Sequence, residues 1–267
     1  KAMAKHYAQF LPDINNYRDL GEMGSELVGE LNCSHSGLRY RATNSAPATA
    51  VLGAFYDTDY KGDGLKIAEV LKNSPLDVID KKVQPGHIIM QINHEPIKAG
   101  EDYYPLLAGK SGKQVLLTIN DDKGQSYEIF VKPISLGAQN ALLYDRWVER
   151  RAAIVAKETN GQVGYVHVKA MNSESFRKTY ADALGKYGAC KAMIIDERHN
   201  GGGWLHNDLA ILFSGKQYQT FVSRGQKLGF DPMNQWTKPS CLLVTEDCYS
   251  NANGFPYTYK TLEIGKV

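Results

Sequence analysis

Asp196-Glu197-Arg198-His199-Asn200-Gly201-Gly202-Gly203 constrains this chain more than any other stretch, because three successive glycines extend neither a strand nor a helix without a large loss of backbone entropy. The apolar run from Ala192 to Asp196 ahead of them reads as a buried strand, and the residues through Leu209 and Phe213 behind them read as a helix. The triplet is then a strand-to-helix turn whose bare backbone can take positive φ and come close to another chain. It sits in a longer alternation: a helix through Leu142, Trp147 and Ile154, a strand from Val163 to Val168, a helix near Ser173 to Tyr187, a strand near Cys241 to Thr245, a turn carrying Ser250, and a helical segment from Phe255-Pro256-Tyr257. Strand and helix in turn argue an α/β layer over residues 138–267.

The rest of the chain has a different grain. Residues 1–45 carry apolar positions at helical spacing, Met3, Tyr7 and Phe10, then Leu20, Met23 and Leu27 after Pro12, which predicts two helices followed by a turn at His35. From the Ala/Pro/Thr passage at Ala46 to Ala50 the period shortens, and strands are expected near 51–56, 64–71, 87–92, 115–120 and 127–132. Ser74-Pro75-Leu76 should precede a short helix, and Gln84-Pro85-Gly86 a buried strand over His87 to Ile92. Residues 46–137 thus resemble the PDZ domains of bacterial proteases. That resemblance implies peptide capture by strand addition, with the backbone of Gly64, Leu65 and Lys66 holding a terminal carboxylate; the plainer alternative is a spacer whose groove is covered.

Charge and cysteine usage exclude other classes. Thirty-one Lys and Arg against 29 Asp and Glu leave a formal charge of +2 with no basic run, so no nucleic-acid partner is expected. No run approaches the ~18 apolar residues of a membrane-spanning segment. Cys33, Cys190, Cys241 and Cys248 lack CxxC spacing and read as free thiols. The start at Lys1 and the end at Val267 read as cuts through a longer polypeptide, from which targeting signals could have been removed.

Two residues in this frame suit acyl transfer. A serine hydroxyl is a poor nucleophile at neutral pH without a base in hydrogen-bond reach, and histidine has the pKa for that task. Ser250, at a strand-to-helix turn, is the candidate nucleophile, with the plainer alternative that its hydroxyl merely caps the helix. His35 is the candidate base. A helix N-terminus and a glycine turn both offer backbone N–H groups to a developing oxyanion. Asp196 and Arg198 are expected to orient the turn through hydrogen bonds or a salt bridge, and Trp204 to pack or line a cleft. His199 and His206 do not make a zinc site, lacking HExxH and a third ligand, and neither GxGxxG nor GxxxxGK[ST] is present for a nucleotide. No cofactor is called for.

Glu30-Leu31-Asn32-Cys33-Ser34-His35, the PDZ-like insert, the glycine turn and Glu246-Asp247-Cys248-Tyr249-Ser250 follow the order seen in tricorn-type peptidases, which belong with the C-terminal processing (tail-specific) peptidases. The chain resembles that family along its length. The resemblance implies an α/β (α+β) fold with a crotonase-like ββα peptidase core behind an N-terminal helical segment, the PDZ-like domain being inserted. It implies a serine peptidase acting on peptides or unfolded chains, with Ser250 as nucleophile, His35 as base, Ser34 orienting His35, and an oxyanion hole from Asn251 N–H and that of Gly201 or Gly202. Asn251 and Gly203 would contact substrate. The family's fourth member, a Glu well downstream of the nucleophile, has no counterpart among the 17 positions after Ser250; Glu263 does not fit, nor do Lys260 and Lys266 as a base of the lysine type. Where tricorn proteins carry Asp after the nucleophile this chain carries Asn251, whose neutral amide gives no long-range attraction to Lys or Arg. The resemblance also implies N-terminal β-propellers and homo-oligomerisation in the parent protein, and a cytoplasmic location, with a periplasmic or exported one if a signal was removed. An alternative in another class is a catalytically silent peptide-binding module or scaffold that uses the PDZ-like domain.

Overall fold

A computed structural model describes residues 2–41, 46–77 and 83–267. The chain opens with helix α1 (Ala2–Ala8), a single 3-10 turn (Leu11–Asp13) and helix α2 (Tyr17–Gly29). Asn16 starts α2 by accepting the N–H groups of Arg18 and Asp19 on its side chain, which satisfies two of the four orphan donors at a helix start. Gly21 and Gly24 leave a bare stripe on α2, and the extended segment after His35 lies along it. A β-carbon at Gly21 would stand 3.1 Å from Tyr40 Cβ, and one at Gly24 2.6 Å from Leu38 Cδ2. Tyr40 also stacks on Tyr17, ring centres 5.7 Å apart. This packing carries the loop with Ser34 and His35 to a fixed place.

Strands β1 (Ala54–Tyr56), β2 (Leu65–Val70), β3 (Ile88–Ile92), β4 (Glu95–Pro96), β5 (Val115–Asn120) and β6 (Ser126–Val131) form one antiparallel sheet in the order β1-β2-β3-β5-β6, with β4 on β3. A short helix, α3 (Tyr104–Leu107), lies between β4 and β5. Ile67, Ile89, Ile92, Leu117 and Ile119 make its core, Leu117 and Ile119 by strict alternation on β5 and Ile89 and Ile92 across a register shift in β3. The five strands expected from the sequence are present within two or three residues of their expected ends, whereas β4 and α3 are too short to leave a periodic signal. The helix expected after Leu76 falls largely on residues 78–82, outside the described residues.

Helix α4 (Leu136–Glu158), capped by Ser135 Oγ on the Ala138 N–H, leads into strand β7 (Val163–His167), helix α5 (Ser173–Ala181) with one π turn (Asp182–Lys186), strand β8 (Ala192–Asp196), helix α6 (His206–Phe213), strands β9 (Gln219–Ser223) and β10 (Gln226–Asp231), strand β11 (Ser240–Leu243) and helix α7 (Asn251–Thr261). The parallel sheet runs β11-β8-β7, Ile195 facing both Val166 and Leu242. Its strands read as unbroken apolar runs because α6 and α7 pack over them around Leu209, Phe213, Trp236, Phe255 and Tyr259. The mixed helix-and-sheet class expected from the sequence holds. Helix α7 begins at Asn251, four residues before the expected start. The hairpin of β9 and β10 had no expectation at all, because both strands are largely exposed and show no apolar alternation.

Candidate active site

Residues far apart in sequence meet at the carboxyl ends of β8 and β11. Ser34 Oγ lies 2.5 Å from His35 Nδ1, and His35 Nε2 lies 3.0 Å from Ser250 Oγ. If Ser250 donates to Nε2, the ring must carry its proton on Nδ1 and donate it to Ser34, so the three groups form one directed line. The His35 ring also rests against Tyr249, centres 5.0 Å apart. Ser250 sits at φ 56° and ψ −121°, a conformation costly for a residue with a β-carbon, and its side chain makes no capping bond to α7. The hydroxyl faces His35 instead, so the capping alternative fails.

The glycine turn is shaped around that elbow. Gly202 has φ +97°, and a β-carbon there would stand 2.6 Å from Tyr249 O and 2.8 Å from Ser250 Cβ. Gly203 runs beside Met171, with no room for a side chain. Buried Asn200 anchors the turn: its Nδ2 donates to Val168 O at 2.8 Å, and its Oδ1 accepts the Gly202 N–H at 2.9 Å. This bears on the glycine left open between Gly201 and Gly202. The Gly202 N–H is engaged by Asn200, whereas Gly201 N–H and Asn251 N–H have no partner among the described residues. Asn251 directs its side chain away from Ser250's partners, its Oδ1 accepting the His206 N–H at 2.9 Å and its Nδ2 donating to His206 Nδ1 at 2.6 Å. The amide expected to meet substrate thus binds the start of α6.

Beneath the turn, the expected pairing of Asp196 and Arg198 is present. The guanidinium reaches both carboxylate oxygens, at 2.9 and 2.6 Å, and Tyr165 donates to one of them at 2.6 Å. Burial alone would push the Asp196 carboxyl up, but these hydrogen bonds to Arg198 and Tyr165 outweigh it and hold the group below its ordinary range. In the sequence Glu197 stands beside Asp196 as what could be mistaken for a catalytic acid pair or metal ligands, and a structural role is the expected one. Glu197 is wholly buried, neither carboxyl oxygen has a partner among the described residues, and burial beside Asp196 pushes it up to about 9, so it is a neutral acid at pH 7. His199, dismissed as a metal ligand, has its Nδ1 2.8 Å from Asp247 Oδ2. The roles of Asn200 and the His199–Asp247 pair, and the burial of Glu197, are not legible in the sequence because a polar residue in a turn looks solvated until its neighbours are known.

Gly64, Leu65 and Lys66 do not form an open carboxylate loop. The Gly64 N–H donates to Ile97 O, Leu65 and Lys66 pair with Ile89 and Ile88, Lys66 O accepts the Asp57 N–H, and the Lys66 ammonium meets Asp57 at 3.2 Å. Their backbone is consumed by the sheet. The sheet ends in β1 on one side and β6 on the other, and it is along β1, one strand over, that a cavity of about 500 Å³ runs between Ala54–Tyr56 and the residues Tyr103, Tyr104 and Leu107.

Residues 162–267 match the profile of peptidase family S41, and residues 52–135 that of the tricorn protease PDZ domain. The two segments are thus similar to S41 peptidases and to the tricorn-type PDZ domain respectively. The chain is 26% identical to the tricorn protease of Thermoplasma volcanium over 93% of its own length and 25% of that protein's, and 29% identical to tricorn protease homolog 1 of Streptomyces coelicolor over 98% and 25%. It superposes on the crystal structure of the tricorn protease with a TM-score of 0.78, covering 99% of this chain and 26% of that one at 21% identity. The chain thus spans about a quarter of the length of these relatives. No helix among the described residues is long and apolar enough to cross a membrane.

Proposed function

We propose that this chain carries a serine peptidase site that cleaves peptide bonds in peptides or unfolded chains. The observation that carries the reading is the line from Ser34 through His35 to Ser250, ending on a hydroxyl held in a strained elbow. In this reading His35 Nε2 takes the Ser250 proton as Oγ bonds to the substrate carbonyl carbon. The N–H groups of Gly201 and Asn251 then stabilise the oxyanion, a contribution of about 3–4 kcal/mol per donor in other hydrolases. Collapse of the tetrahedral adduct breaks the C–N bond, His35 returns the proton to the leaving amine, and a water deprotonated by His35 releases the acyl group. Ser34, accepting from Nδ1, keeps the tautomer that this cycle needs. A basic preference at the cleaved residue is not part of the reading, since Asn251 is neutral and engaged with His206.

Mass spectrometry after treatment with a fluorophosphonate tests the reading directly. One adduct on Ser250, absent in Ser250→Ala and strongly reduced in His35→Ala, is the expected result; an unmodified Ser250 in the wild-type chain refutes it. Peptide recruitment by the PDZ domain is assigned to the β1 edge rather than to Gly64, Leu65 and Lys66, because an added strand needs unpaired backbone groups, and of the two edge strands, β1 and β6, it is β1 that lines the cavity with Tyr103, Tyr104 and Leu107. Oligomerisation of the parent protein and the absence of a nucleic-acid partner belong to the same reading.

A further inference from the structure

The two backbone donors invoked above stand on different loops, Gly201 on the turn after β8 and Asn251 on the elbow after β11. An oxyanion hole works only if both donors converge on one point, so whatever registers the two loops is part of its construction. Tyr249 N–H donates to Asn200 O at 3.0 Å, and Cys248 Sγ to Glu197 O at 3.3 Å. Neither bond engages the outer rim of the turn. There His199 Nδ1 meets Asp247 Oδ2 at 2.8 Å, while the His199 N–H donates to Thr245 Oγ1 at 3.2 Å and the Thr245 hydroxyl donates to Asp247 Oδ1. Both oxygens of Asp247 are thereby used, and these bonds hold its carboxyl below the ordinary range. Among the described residues this is the one bond between ionisable side chains that joins the turn to the elbow.

Two further observations mark the arrangement as built. His199 has φ 66°, where Gly or Asn would sit at lower cost, so its side chain must offset that strain through its contacts. Its ring is also backed by Trp147 of α4, centres 5.9 Å apart, and the same indole carries the Arg198 guanidinium at 5.0 Å. A helix that begins at the end of the PDZ domain thus presses one rigid aromatic against two successive residues of the turn.

We propose that His199 and Asp247, backed by Trp147, are positioning residues that clamp the glycine turn to the nucleophile elbow and so set the convergence of the Gly201 and Asn251 donors. The proposal rests on the reading of Ser250 as nucleophile. The pair is half exposed, so its loss should leave the melting temperature nearly unchanged.

The test compares wild type with His199→Gly, which keeps the left-handed backbone and removes the ring, Asp247→Ala, which removes the acceptor, and His199→Asn, which tolerates positive φ and retains a side-chain N–H. Fluorophosphonate inactivation is resolved into a binding constant and a maximal rate, and amide hydrogen exchange is followed without the probe over residues 199–203 and 245–251. The expected result is a fall of about tenfold or more in maximal rate with binding changed less than about twofold in His199→Gly and Asp247→Ala, the pattern of a donor displaced from the transition state alone. Exchange should rise in both loops, whichever loop carries the substitution, and His199→Asn should recover much of both. An unchanged maximal rate, or exchange that rises only in the substituted loop, overturns the clamp. A wild-type chain that takes no label sinks the peptidase reading, and the two-loop exchange pattern then decides for or against the clamp by itself.

Discussion

At the residue scale, the site is built from positions whose ordinary preferences are overridden. Gly202 is the clearest. A β-carbon there meets backbone and the Cβ of Ser250 rather than a flexible side-chain tip, so Gly202→Ala must displace the elbow. The expected outcome is loss of Ser250 labelling by about a hundredfold, in line with the effect of a displacement near 1 Å, with the circular dichroism spectrum retained. Wild-type labelling in that variant would show that the close approach is unimportant. Glu197 makes a second prediction, for stability. Its carboxyl ionises near 4.3 in an unfolded chain, whereas burial keeps it protonated up to about 9 in the folded one. Between those values the native state holds the extra proton, so the contribution of this group to stability falls as pH rises, by about 1.4 kcal/mol per unit, and levels off above the folded pKa. Glu197→Gln should remove that slope, and its melting temperature should gain on wild type progressively from about pH 5 to about pH 8. A constant gap across that range would mean that Glu197 is ionised in the fold. The unbroken apolar run of β8 was legible in the sequence, but the environment one residue beyond its end was not.

At the element scale, the N-terminal helices act as a bracket for the candidate base. Helix α2 has little buried surface of its own, and its bare glycine stripe instead receives Leu38 and Tyr40, which fixes the loop before them. Tyr40 is half exposed, so Tyr40→Ala should cost little stability yet free the His35 segment from Tyr17 and Gly21. A drop in the labelling rate of about tenfold is expected with a melting curve close to wild type, since imprecise placement of a general base is paid in rate; equal rates would show that His35 is held from the Ser250 side alone. Both helices were legible from apolar spacing. The extended stretch that follows them was not, because a segment that packs on glycines leaves no period of its own.

At the scale of the whole molecule, two hydrophobic cores are assembled without a residue in common, one around Ile89 and Leu117 and the other around Ile195 and Phe255. Phe255 is wholly buried, and Phe255→Ala should cost about 3–5 kcal/mol in the peptidase core. Scanning calorimetry should then show the peptidase transition falling in temperature while that of the PDZ domain stays in place; a single transition that shifts as one would mean that the cores unfold together. The link between them is α4, where Arg146 meets Glu69 and Lys72 meets Glu149 at 2.9 Å across the boundary, and whose Trp147 reaches the glycine turn. The sequence by itself determined the order of strands and helices, the glycine turn after a buried strand, and the serine at the next strand's end, because each of these is written in local periodicity and in residues with special backbone freedom. Only the tertiary structure decided that residue 35 reaches residue 250, that Asn200 takes the Gly202 N–H while that of Gly201 has no partner among the described residues, and that β1, unlike β2, lies at an edge of its sheet. These outcomes depend on contacts between distant segments, His35 and Ser250 being 215 positions apart, and a hydrogen bond of that kind leaves no trace in the pattern of either segment.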